Sequence, residues 1–149
     1  MAFVNSLSSN TKTIHFLKKS LLLAHNYCTF SREWSEMEYE RRAEDTLVAL
    51  TEYLDTFPDR VDCESAFDVS YSMGVLTAHI SPRIGTYVIN KQTPNKQIWL
   101  SSPVSGPKRY DLSDKGRWVY KHDGVTLHEL LEKEFRHIFK NDQISLQQS

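Results

Sequence analysis

Eight acidic side chains fall between residues 35 and 59, against only Arg41 and Arg42. On a helix turning roughly 100° per residue, Glu36, Glu40, Glu44, Asp45, Glu52 and Asp55 lie opposite an apolar arc of about 120°. Asp59 follows just past that stretch, and Asp62, Glu64 and Asp68 carry the run toward the first β-rich segment. Glu36, Glu40 and Glu44 stand at i, i+4, where like charges each cost a helix a few tenths of a kcal/mol. A sequence chosen for stability alone would interleave lysines. Clustered carboxylates raise the local negative potential and attract hard, oxygen-preferring cations. With no His or Cys among them, such sites would be shallow, water-rich and weak. A solvated helix face that binds nothing is the competing reading.

A second constellation centres on Gln97-Ile98-Trp99-Leu100-Ser101. Strand alternation sends Ile98 and Leu100 to one face and Gln97, Trp99 and Ser101 to the other. The aliphatic pair belongs in the core, so Trp99 is expected on an open sheet face, bordered by amides (Asn90, Gln92, Gln97) and by Arg109. A Trp in that company has the make-up of a protein-binding hot spot. Alternatively, Arg109 or a loop half covers the ring and no partner is needed.

Signatures of catalysis are missing. Gly106-Pro107-Lys108 lacks the spacing and the strand-to-helix context of a phosphate loop, and neither cysteine, Cys28 or Cys63, sits in a redox or zinc motif. The six histidines at 15, 25, 79, 122, 128 and 137 include no H-x-H or H-E-x-x-H pair. His122 reads as a turn residue, and His128 and His137 as helix residues on a polar face.

The elements that must carry these groups are legible from caps and periods. Ser35-Glu36-Met37-Glu38 is a capping box, with Trp34 and Tyr39 at the positions of a hydrophobic staple. The helix it starts buries Tyr39, Ala43, Thr46, Leu47, Leu50, Tyr53, Leu54 and Phe57 at 3–4 spacing, and Pro58 is expected to end it. From Phe67 the period changes to two, with β-rich runs at 67–71, 75–80, 86–90, 97–101, 109–112 and 117–121. Turn signals separate the runs: Ser81-Pro82 with Gly85, Thr93-Pro94-Asn95, Pro103 with Gly106-Pro107, and Asp114 with Gly116. A second capping box, Thr126 to Glu129, opens a helix whose buried stripe is Leu127, Leu130, Leu131, Phe135, Ile138 and Phe139. Helix, strands, helix predicts an α+β fold: a two-layer sandwich with both terminal helices on one face of an antiparallel sheet of about six strands.

The formal net charge of −1 argues against a nucleic-acid partner held by phosphate neutralisation. No apolar run approaches the roughly 18–20 residues needed to span a bilayer. Residues 35–149 hold 14 basic and 18 acidic side chains, whereas residues 1–32 contain no acid at all. Ile14, Leu17 and Leu21 repeat there at helical spacing, with Lys18 and Lys19 to one side. A basic, acid-free, amphipathic start reads as a mitochondrial transit peptide over 1–32, preceding a domain over 33–149. A frayed N-terminal helix is the alternative, and the scarcity of Arg favours it.

The stretch from Gly85 to Pro103 (GTYVINKQTPNKQIWLSSP), with Ser105-Gly106-Pro107-Lys108-Arg109-Tyr110-Asp111, closely resembles the sheet signature of the frataxin family. Trp118-Val119-Tyr120, His122-Asp123-Gly124-Val125 and Leu127-His128-Glu129-Leu130-Leu131 continue the likeness, which covers residues 35–140. It implies that family's α–β sandwich, a mitochondrial matrix location and a role in iron–sulfur cluster biogenesis. The implied partner is the cysteine desulfurase–scaffold complex, whose sulfur transfer the family speeds. Weakly bound iron, Fe(II) or Fe(III), is implied on an acidic ridge matching Glu36, Glu40, Glu44, Asp45, Glu52, Asp55, Asp59 and Asp68. A partner-binding sheet surface is implied at Asn90, Gln92, Gln97, Trp99 and Arg109.

The chain departs from the family pattern at Ser65 and Ala66, where another acid is frequent, at Leu112, where Trp is frequent, and at Val48, which interrupts the acid ladder. The polar tail after Ile144 is short, which questions how fully it covers the groove between the helices. Three functions are expected to compete: a non-catalytic activator and iron donor acting as a monomer, a ferroxidase or iron-storage protein, and a plain interaction module whose acids serve solubility. Di-iron oxidation calls for inward carboxylates and histidines at Glu-x-x-His spacing, which this chain lacks.

Overall fold

Trp34 and Tyr39 flank the first helical turn and are both buried, while the Ser35 hydroxyl accepts from the Glu38 N–H and the Glu38 carboxylate accepts from the Ser35 N–H at 3.0 Å. This capping box and staple start helix α1 (Glu36–Asp55), whose buried side is Tyr39, Ala43, Leu47, Leu50 and Leu54. The computed structural model of the chain describes residues 33–146; the expected transit peptide over 1–32 and the last residues of the tail lie outside them.

Pro58 does not end α1 as expected. The helix stops at Asp55, and Pro58 sits in the first turn of a separate short helix, α2 (Phe57–Arg60). A proline is tolerated there because first-turn N–H groups have no intrahelical acceptor. The break lets Phe57 turn inward, 1% exposed, against Phe135 and Phe139.

Six strands follow: β1 (Asp68–Ser72), β2 (Val75–Ser81), β3 (Gly85–Gln92), β4 (Gln97–Ser102), β5 (Gly106–Leu112) and β6 (Trp118–Tyr120). Each pairs antiparallel with its sequence neighbours, so the sheet order is the chain order. Helix α3 (Leu127–Phe139) closes the fold behind its own capping box at Thr126 and Glu129. Leu76, Ala78, Tyr87, Ile89, Ile98, Leu100, Tyr110 and Trp118 form the covered face of the sheet with the helices against it. Tyr39 meets Trp118 edge-on at 5.9 Å, and Tyr87 meets Phe135 at 5.1 Å. Among the described residues no helix lies on the opposite face, which is the two-layer sandwich expected.

The described residues after α3 fold back onto both long helices. Ile144 and Leu146 are buried, the Ser145 N–H donates to the Tyr53 hydroxyl, the Leu146 N–H donates to Glu132, and Arg136 donates to the Ile144 carbonyl at 2.7 Å. Residues from α1, α3 and the tail are thereby laced together.

Candidate metal-binding ridge and docking face

Alternation along each strand and the pairing register together set the open face as a grid. One row runs Val75, Asn90, Trp99, Arg109 across β2 to β5, and another runs Gln92, Gln97, Asp111, Val119 across β3 to β6. All five residues expected to bind a partner therefore fall in two adjacent rows. The Arg109 guanidinium stacks 4.4 Å above the Trp99 ring, so the arginine does cover part of it, and yet the indole stays partly exposed. Trp99 Nε1 donates to Gln97 Oε1 at 2.9 Å, and Gln97 Nε2 donates to Asp111 Oδ1 at 3.0 Å. Lys121 pairs with the other oxygen of Asp111 at 3.4 Å. The chain of contacts holds Trp99 in one orientation before any partner arrives.

Asn90, Gln97, Trp99 and Arg109 line an open depression of about 650 Å³, which Lys121 and His122 also border. The sequence reading missed Asp111, Lys121 and His122. Asp111 was within reach, because it lies two residues from Arg109 and so on the same face. Leu100, facing the other way, is 2% exposed.

The acids divide into two groups. Glu36, Asp45, Glu52, Asp55, Asp59 and Asp68 are exposed, with no ion pair among the described residues. Glu40 and Glu44 are instead tied to Lys91, whose Nζ lies 2.8 Å from one and 3.0 Å from the other. Thr93 donates to the second oxygen of Glu40. Hydrogen bonds from Lys91 and then Thr93 hold the Glu40 carboxyl below the usual carboxylate range. Glu44 is lowered by the Tyr71 hydroxyl, which lies beside it outside strict hydrogen-bond geometry, and by Lys91. Burial and Glu44 push Tyr71 up to about 12. Among the described residues, no three His, Cys, Asp or Glu side chains converge as a chelating cluster. The ridge is thus a spread of separate carboxylates.

Lys91 escaped the sequence reading, although Tyr87 and Ile89 alternate inward and the same period turns Lys91 toward the helix layer, where an ammonium needs an acid. His128 corrects an expectation. It is 7% exposed rather than on a polar face, its Nδ1 has no hydrogen-bond partner among the described residues, and burial, with the Arg117 charge adding, lowers its pKa to about 4. Glu134 was missed as well. It is buried on α3 and accepts from the Tyr87 and Ser102 hydroxyls, each at 2.7 Å.

A family model, the Frataxin-like domain, matches residues 32–141. The chain belongs to the frataxin family. Among its relatives, mitochondrial frataxin of Caenorhabditis elegans is 56% identical over 114 residues, covering 76% of this chain and 84% of that one. The mitochondrial frataxin homolog of Drosophila melanogaster is 52% identical over 109 residues, covering 71% and 57%; the chain spans little over half the fly protein's length. Membership among proteins so named assigns this frataxin-family chain to the mitochondrial matrix. Among solved structures, yeast frataxin is 33% identical with a TM-score of 0.59, covering 95% and 98% of the two chains. Trimeric frataxin from Saccharomyces cerevisiae, crystallised with ferrous iron, is 40% identical with a TM-score of 0.53, covering 74% and 90%. That trimer does not fit the expectation of a monomer.

Proposed function

We propose that the chain binds iron weakly on its exposed acids and docks, through its open sheet face, on the cysteine desulfurase–scaffold complex of iron–sulfur cluster assembly, speeding sulfur transfer. The observation that carries this reading is the Trp99 platform: an indole fixed by Arg109 and Gln97 on a sheet face that no helix covers among the described residues. An anchored aromatic ringed by polar groups suits a protein interface. The iron-facing set is Glu36, Asp45, Glu52, Asp55, Asp59 and Asp68, whose exposed, dispersed carboxylates suit rapid exchange of a hard cation. Ferrous iron in the yeast relative's crystal supports the choice of metal. Oxidation of Fe(II) finds less support, since the acids do not enclose a pair of metal ions.

Residues 1–32 act as the transit peptide, so a chain starting at Ser31 should keep its melting temperature. Desulfurase turnover with and without the protein, first without iron and then with it, tests the main reading. Stimulation in both conditions supports activation by docking. No stimulation in either removes it.

A further inference from the structure

The Lys91 side chain runs toward the ridge across the turn at Gly74. A Cβ on Gly74 would lie 2.7 Å from Lys91 Cε, and Gly74 has φ +77°. The Lys91 N–H donates to the Gly74 carbonyl at 3.0 Å, which holds the strand against that turn. The ammonium ends between Glu40 and Glu44. These two acids are one turn apart on α1, the spacing at which neighbouring helical carboxylates can face a common cation. Oxygen ligands approach a divalent cation to about 2.0–2.6 Å, so a metal shared by Glu40 and Glu44 would take the space the ammonium fills. The Lys91 side chain is 24% exposed, and a partly buried charge is screened less than a solvated one. Thr93 occupies the remaining oxygen of Glu40.

We propose that Lys91 is a resident counter-cation that withholds Glu40 and Glu44 from divalent metal and so directs iron to the exposed acids farther along α1 and α2, Asp45 to Asp59. The inference rests on the reading that this ridge binds iron, and its test separates the two. Anaerobic Fe(II) titration by calorimetry compares the parent chain with Lys91→Met, Lys91→Arg, Glu40→Gln/Glu44→Gln and the triple variant Lys91→Met/Glu40→Gln/Glu44→Gln. Methionine keeps an aliphatic stem over Gly74, and thermal melts check that each variant is folded.

The parent, Lys91→Arg and Glu40→Gln/Glu44→Gln should bind Fe(II) within about threefold of one another, whereas Lys91→Met should bind about tenfold tighter or better. The gain should vanish in the triple variant. A tenfold loss in Glu40→Gln/Glu44→Gln, or no gain in Lys91→Met, would overturn the role of Lys91. Asp45→Asn/Asp55→Asn/Asp59→Asn judges the underlying reading independently. Unchanged Fe(II) binding in that variant removes the iron-facing assignment, while a gain in Lys91→Met would still report on Lys91.

Discussion

Trp99 and Leu100 are neighbours on β4 that face opposite ways, and their substitution separates docking from packing. Trp99→Ala removes an interface anchor worth upwards of about 2 kcal/mol, which is roughly a thirtyfold loss of affinity for the desulfurase–scaffold complex. It opens no internal cavity, so stability should fall by well under the ~3–5 kcal/mol of a buried Trp→Ala. Leu100→Ala should cost about 2–5 kcal/mol of stability and leave near-normal affinity in the folded fraction. Thermal melts and pull-downs of both variants decide it; unfolding by Trp99→Ala alone would mean the strand had been assigned inside out. His128 makes a second prediction. Its imidazole stays neutral in the folded chain down to about pH 4, while the unfolded chain takes up the proton near 6.5. Unfolded chains then bind more protons across that window, so stability is full above about pH 6.5 and falls as pH drops, by at most ~3 kcal/mol. His128→Leu should flatten the slope of melting temperature between pH 6.5 and 4. An unchanged slope would place the titration elsewhere.

At the scale of elements, both capping boxes and the strand alternation work as local rules predict, because each involves residues no more than four apart. The C-terminal segment follows no such rule. Ser145, Leu146 and Ile144 find partners on α1 and α3 that are distant in sequence, and a polar stretch with two aliphatics gives no period to read. Ile144 is 1% exposed, so Ile144→Ala should destabilise the chain by about 2–4 kcal/mol, visible as a lower urea midpoint with an unchanged slope. A loss under about 0.5 kcal/mol, the range of surface substitutions, would show the segment to be ornamental. The α1–α2 junction carries a related lesson. Pro58 marks a boundary, but the chain bends before it, because Phe57 gains more from burial against α3 than from prolonging α1.

At the scale of the whole domain, the acids lie along α1, α2 and β1, while the docking rows lie on the sheet face opposite the described helices. Iron added to the labelled protein should therefore broaden amide signals most along Asp45–Asp59 and least along Asn90–Arg109. Replacing Asp45, Glu52 and Asp55 with Lys should abolish the effect and leave the fold intact or slightly stabilised, since like-charge repulsion is relieved. Broadening centred on His122 or His128 would contradict the ridge assignment. The sequence by itself determined the order of elements, the acid-rich side of α1 and the outward side of β4, since helix and strand periods assign faces without knowledge of the neighbours. Only the tertiary structure decided which acids remain available. Lys91 lies 51 and 47 residues from Glu40 and Glu44 in sequence, and it reaches them because β3 is threaded under α1 and the Gly74 turn leaves room for its stem. Likewise the burial of His128 and Glu134 depends on what packs over α3, including Tyr87 and Ser102 on other strands. A helical wheel can place a side chain on a side of its helix, but the charge, or the absence of water, that it meets there comes from distant parts of the chain.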